Sequence, residues 1–270
     1  MYGQFDEVKL ILKIPKLDVI PKTCIEFGAY DGITNSNTFY FWKKENFQSL
    51  LIEPDPSLFK LLKDNANKHC TLVNDFVSKN NTLNQIIKKY KFPKKIGILS
   101  IDIDSNDLEI FKLVDHSSTF IVIIEFNNQF PVWVDYEDPN DCIIFRHSAL
   151  AVINFATKKG YKLLDVRGAN LILINDKNLT LPSNFYPENL QACFDYKEQK
   201  RACRDTRIIG CKFTTNSKIF SQKPNLFLRL KKYFLQLIIV INYFLRRKKI
   251  PTTKIPENCR KKILDAGLYF

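Results

Sequence analysis

The sequence predicts an α/β fold: a Rossmann-like, mostly parallel sheet closed by a C-terminal antiparallel hairpin, followed by a basic helical tail. Three observations predict it. Short apolar runs alternate with amphipathic segments from Thr23 onward, the pattern of strands covered on both faces by helices. The first of these runs ends in an acid and a glycine-bearing loop, TCIEFGAYDGITNSN, the outline of a strand, a tight turn and a helix N-terminus. The runs at 161–166 and 170–174 are joined only by Arg167-Gly168-Ala169, too short for a parallel crossover, so they form a hairpin.

The elements follow in order. Residues 5–14 read as an amphipathic lead-in helix stopped by Pro15. Residues 24–27 form the first strand, and 36–44 a helix that Asn35 or Ser36 can cap. Residues 50–53 are the second strand, ending in Glu53. Pro56 suits the first turn of the next helix, 57–67, where Leu58, Leu61 and Leu62 recur at helical spacing. A third strand at 71–76 precedes a helix at 83–90, and a fourth at 96–103 runs into acids. A helix at 107–114 leads to FIVIIEF, 120–126, the most apolar strand. A longer loop, 127–141, precedes a helix at 144–159 and then the hairpin. No internal repeat is present.

The chain of 270 residues is 45% hydrophobic and 13% aromatic, a globular composition. Its net charge of +13 is uneven. Residues 221–270 hold 12 Lys and Arg against Glu257 and Asp265, leaving the first 220 residues nearly neutral. This asymmetry speaks against nucleic acid as a partner, which wants cations beside the site. It also divides the chain into an α/β domain, 1–220, and a basic, apolar tail, 221–270. The seven cysteines are odd in number and thinly spread, which fits unpaired thiols in a reducing compartment. Cys193, Cys203 and Cys211 lack the short paired spacing of a zinc site. The N-terminus has no long apolar region, and the cytoplasm is the expected location.

Four ordered blocks carry a resemblance: IEFGAYDGITNSN, LLIEPDP, LSIDIDSND and IVIIEFN. Together, over roughly residues 23–174, they resemble the FkbM-like group of S-adenosylmethionine-dependent class I methyltransferases, relatives found among glycan and surface-polysaccharide genes. The resemblance implies S-adenosylmethionine as cofactor and O-methylation of a sugar or glycan-linked acceptor. It implies that Glu26, Gly28 and Gly32 form the turn beneath the methionine part, with Asp31 and Asn35 to Asn37 lining the same pocket. Tyr30 stands where the fuller pattern has its middle glycine. Glu53, about 20 residues past Gly32, would accept the ribose hydroxyls. Asp75 would face the adenine amine. Asp102 and Asp104 would lie between cofactor and acceptor, with Glu125 and Asn127 facing the acceptor.

Other readings of the same residues stay open. Asp102-Ile103-Asp104 also has the acid–x–acid form by which glycosyltransferases hold a divalent metal and a sugar diphosphate. A non-catalytic module of the same fold is the third alternative. His147 in FRHSAL is a candidate general base at a helix start. Residues 226–249, which Leu226 opens and Lys249 closes, have an apolar core too short to span a bilayer, with cations at both ends. They fit either a helix at an anionic membrane surface or one packed on the protein. Oligomeric state has no signature in the sequence.

Overall fold

The computed structural model of the chain describes residues 3, 5–104, 107–128, 130, 132, 135–138 and 146–193. The proposed tail, its membrane-facing segment, the boundary at 220, and Cys142, Cys203, Cys211 and Cys259 lie outside them. The chain divides into two units, Met1–Phe126 with Val152–Cys193, and Asn127–Ala151 with Phe194–Phe270.

In the first unit β1 (Thr23–Phe27), β2 (Gln48–Ile52), β3 (Cys70–Val73), β4 (Ile96–Ile101) and β5 (Thr119–Glu125) are mutually parallel. The sheet is completed by β6 (Tyr161–Arg167) and β7 (Asn170–Asn175), in the order β3-β2-β1-β4-β5-β7-β6. β7 pairs antiparallel with both β5 and β6. This is the mostly parallel, hairpin-closed α/β sheet that the sequence predicts. Every residue of β1, β4 and β7 is buried, as near-continuous apolar strands covered on both faces must be. The order places β1 at the switch between the two directions of winding, where ligands bind in open α/β sheets.

The helices start where side chains replace missing backbone partners. α1 (Glu7–Ile11) is shorter than the lead-in helix expected, and its Glu7 is buried, accepting from Asn170 Nδ2 at 2.8 Å. α2 (Phe39–Lys44) turns Phe41 and Trp42 fully inward, each contributing about 2–3 kcal/mol by burial. α3 (Pro56–Asn65) is capped by Asp55, which accepts from the N–H groups of Ser57 and Leu58, with Pro56 in its first turn. α4 (Leu83–Lys89) opens with a reciprocal capping box between Thr82 and Gln85. α5 (Asp107–Lys112) packs Phe111 against Phe155 of α6 (Ala149–Lys158). The short α7 (Leu190–Cys193) ends at the free thiol of Cys193.

Several element boundaries need correction. The helix expected at 36–44 begins at Phe39, behind Thr38, with Ser36 Oγ accepting from Phe39 N at 2.9 Å, and the fourth strand stops at Ile101 rather than 103. The third strand stops at Val73 rather than 76, because Asn74 Nδ2 turns to the carbonyls of Glu53 and Pro54, at 2.8 and 3.0 Å. The helix expected from 144 begins at Ala149, where Ser148 Oγ accepts from Ala151 N at 3.2 Å and Arg146 is left-handed, φ 62°. His147 is therefore in a bridge with Glu137, not on a helix start.

In the second unit Phe130 stacks on Tyr136 at 5.0 Å. The Tyr136 hydroxyl donates to Asp138 at 2.7 Å. Among the described residues, no helix is long and apolar enough to cross a membrane.

Candidate functional site

The C-terminal ends of β1, β2, β4 and β5 enclose a pocket of about 560 Å³, a volume ordinary for a small-molecule site. Glu26, Gly28, Tyr30, Glu53, Asp102, Asp104 and Glu125 line it, with Thr34, Asn35, Ser36, Pro54, Leu58 and Ile103 between them. Five of these are carboxylates and none is basic.

Glu26 sits near the end of β1, and its carboxylate organises the following loop. It accepts from Ser36 Oγ at 2.6 Å, Thr38 Oγ1 at 2.6 Å and Asn37 N at 2.8 Å. Ser36 Oγ in turn accepts from Phe39 N at 2.9 Å, so the helix start is tied to the strand end. Glu26 is 4% exposed, and burial pushes its carboxyl up to about 7, against hydrogen bonds that pull it down, with the charge of Asp102 adding to the rise.

The sign of the pH dependence follows. A carboxyl whose folded pKa lies above its unfolded value of 4.5 binds protons more tightly when folded, so its contribution to stability falls as pH rises from 4.5 to 7. His116, which burial lowers to about 4, gives the opposite slope over part of that range. Comparing Glu26→Gln with wild type isolates the first effect. Urea unfolding should show the variant gaining about 2 kcal/mol relative to wild type between pH 5 and pH 8. A pH-independent difference would contradict a Glu26 carboxyl whose pKa burial raises.

Gly28 follows β1 at φ 68°, and a Cβ there would overlap the backbone carbonyl of Asp102 at the end of β4. The two strand ends approach this closely only because residue 28 has no side chain. Tyr30, the departure from the glycine pattern, adopts φ 52° and is 46% exposed. Its backbone N–H donates to Glu53 Oε2 at 2.8 Å. The backbone at Tyr30 thus follows the left-handed path a glycine would take, at a cost of about 1 kcal/mol. Glu53 is 5% exposed, and its other oxygen accepts from Asp55 N at 2.8 Å.

Asp102, Asp104 and Glu125 bring carboxylate oxygens to within 4.8 Å of one another. The loop carrying Asp102 and Asp104 is shaped by Asp107, whose Oδ1 accepts from Ile103 N at 2.8 Å. Such a set has the donors a hard divalent cation takes. It can equally hold a positive charge or a proton.

The structure does not bring every expected residue to the pocket lining. Asp31 turns its carboxylate onto its own loop, accepting from Ile33 N, Thr34 N and Thr34 Oγ1 at 2.7–2.9 Å. Gly32 faces Leu62. Asn37 is 2% exposed and donates through Nδ2 to Ser100 Oγ at 3.1 Å. Asp75 lies beyond the shortened β3 and accepts from Phe76 N at 2.8 Å. His147, 1% exposed, and Asn127 belong to the second unit, where Asn127 N donates to the His147 carbonyl at 2.9 Å. Conversely, sequence reasoning missed Thr34, Pro54, Leu58 and Ile103 in the lining, and Thr38 and Ser100 behind it. The hydroxyls of Ser36 and Thr38, ten and twelve positions past Glu26, were the available signal.

No protein-family model matches the chain, and no curated protein sequence does. Among solved structures, TrmK of M. capricolum in complex with S-adenosyl-homocysteine aligns at 12% identity over 92% of this chain and 100% of that one, with a TM-score of 0.46. The glycopeptide N-methyltransferase MtfA complexed with sinefungin aligns at 10% identity over 64% and 86%, with a TM-score of 0.37. Neither likeness is close enough to carry an argument about activity, which rests on the pocket itself.

Proposed function

We propose that the protein is an S-adenosylmethionine-dependent methyltransferase of the FkbM-like group that forms a methyl ether on a sugar or glycan-linked hydroxyl in the cytoplasm. The observation that carries the proposal is the joint geometry of the glycine turn and Glu53: the backbone passes close beneath the pocket at Gly28, and a buried carboxylate stands beside it at the end of β2. The fit is chemical as well as spatial. Each Glu53 oxygen accepts one backbone N–H and retains a lone pair for a ribose hydroxyl. A lining whose charged groups are all acidic favours a ligand bearing a sulfonium and an ammonium.

Bound there, the cofactor supplies an electrophilic methyl group. The chain's own residues do the rest. Gly28 and the loop held by Glu26 shape the floor, and Glu53 fixes the ribose. Asp102, Asp104 and Glu125 would stand on the acceptor side, where one of them would take the proton of the acceptor hydroxyl. Incubation with methyl-tritiated S-adenosylmethionine and a glycan extract tests this. Label recovered in an alkali-stable methylated sugar is expected. Label in methylamine or in a base-labile ester would overturn the ether assignment.

The convergence of Asp102, Asp104 and Glu125 favours one second reading, a metal-dependent nucleotide-sugar transferase. It leaves the Gly28 turn and Glu53 without a task. Thermal stabilisation by UDP with manganese, and none by S-adenosylhomocysteine, would select it.

A further inference from the structure

The pocket occupies one edge of the parallel sheet, and the opposite edge has the reverse charge. There the chain enters β1, β2, β3, β4 and β5, and backbone bonds gather the entering loops together. Thr23 Oγ1 donates to the Lys95 carbonyl at 2.7 Å, and Gln48 N to the Lys22 carbonyl at 2.9 Å. Ser49 N reaches the His69 carbonyl and Ile96 N the Ser118 carbonyl, both at 2.8 Å.

The turn from α4 into β4 reads KKYKFPKK. Lys88, Lys91, Lys94 and Lys95 are exposed, and exposed Lys22 adjoins them at the start of β1. None of these lysines forms an ion pair with a described carboxylate. The acids on this edge are fewer than the lysines: Asp18 precedes β1, Glu45 precedes β2, Asp64 lies in the last turn of α3 before β3, Asp115 precedes β5, and Asp176, paired with Lys162, follows β7. Lysines that offset helix dipoles belong in the last turn, which covers Lys88 but not Lys91, Lys94, Lys95 or Lys22. Val19 and Tyr90 stand exposed among them, at 57% and 36%.

We infer that this lysine edge docks on an anionic membrane surface. Compact ammonium groups on flexible stems suit a fluid array of acidic headgroups, each lysine strengthening binding by about fivefold. An exposed aliphatic and a tyrosine at the same level suit the headgroup boundary. A nucleic-acid surface would favour guanidinium groups for bidentate phosphate contacts, and this edge has no arginine among its described residues. Docked in this way, the pocket at the opposite strand ends opens away from the bilayer, so an acceptor arrives from the aqueous side. The inference is independent of the reaction proposed for the pocket.

Co-sedimentation of the full chain with vesicles tests it. Wild type is expected to bind vesicles of phosphatidylcholine with 30% phosphatidylserine (a composition chosen at roughly physiological surface charge) and to leave pure phosphatidylcholine unbound. Binding should weaken steeply with added salt. The triple variant Lys88→Glu, Lys91→Glu, Lys94→Glu should lose roughly 100-fold in partitioning. Its circular dichroism and melting temperature should match wild type, since all three side chains are exposed. An unchanged partition coefficient in the triple variant would overturn the inference, because any binding elsewhere in the chain is common to both proteins. Tighter binding of wild type to a short duplex RNA than to the acidic vesicles, at equal salt, would also overturn it.

Discussion

Gly28→Ala is expected to destabilise the protein by about 3 kcal/mol or more and to abolish cofactor binding. Two effects add. An alanine at φ 68° meets the ordinary left-handed penalty, and its Cβ meets the Asp102 backbone carbonyl. That carbonyl cannot retreat cheaply, because β1 and β4 are locked in register from Cys24 against Ile98 to Phe27 against Ile101. Relief must come by separating the strand ends that form the pocket floor. Gly32→Ala supplies the contrast, since the obstacle at that position is the terminal methyl of Leu62, a side chain that can shift. Thermal unfolding should show a drop of roughly 10 °C for Gly28→Ala and a smaller one for Gly32→Ala. Equal effects would mean that the closeness of β1 and β4 is not what residue 28 protects.

Glu53→Gln is expected to weaken S-adenosylhomocysteine binding by about 100-fold while lowering stability by only about 1–2 kcal/mol. The carboxylate accepts Tyr30 N on one oxygen and Asp55 N on the other. Glutamine keeps one acceptor and presents an NH₂ to the other backbone donor, which accounts for the loss in stability. The larger effect falls on the ligand, because a neutral amide cannot accept both ribose hydroxyls as a carboxylate can. Calorimetric titration alongside urea unfolding separates the two. Lost stability with unchanged affinity would make Glu53 only an anchor of the Tyr30 loop.

Much of this architecture was legible because the signals are local. Apolar runs flanked by helical spacing located each parallel strand to within a few residues, and the brevity of the Arg167–Asn170 connection announced the antiparallel closure. Acids at strand ends located Glu26, Glu53, Asp102 and Glu125, since strand ends in such sheets converge on one edge. What was not legible depended on side-chain direction. Asp31 and Asp75 have the right residue type, yet each folds back onto neighbouring N–H groups, which sequence position cannot distinguish from pointing inward. Leu58 shares a helix with Leu61 and Leu62, and spacing alone did not reveal that it turns toward the pocket. Tyr30 looked like an obstruction because residue type suggests volume, whereas its backbone takes the left-handed angle of a glycine and its N–H is held by Glu53. The lysine edge escaped notice because the stretch at 88–95 meets Lys22 only where the sheet sets the starts of β1 and β4 side by side.

The central claim is that the pocket at the ends of β1, β2, β4 and β5 binds S-adenosylmethionine through the Gly28 turn and Glu53. Isothermal titration of the full chain of 270 residues with S-adenosylhomocysteine tests it most directly. Saturable one-to-one binding, weakened by Glu53→Gln and absent in Gly28→Ala, is the result predicted. No binding to the wild-type protein, with UDP and manganese binding in its place, would contradict it.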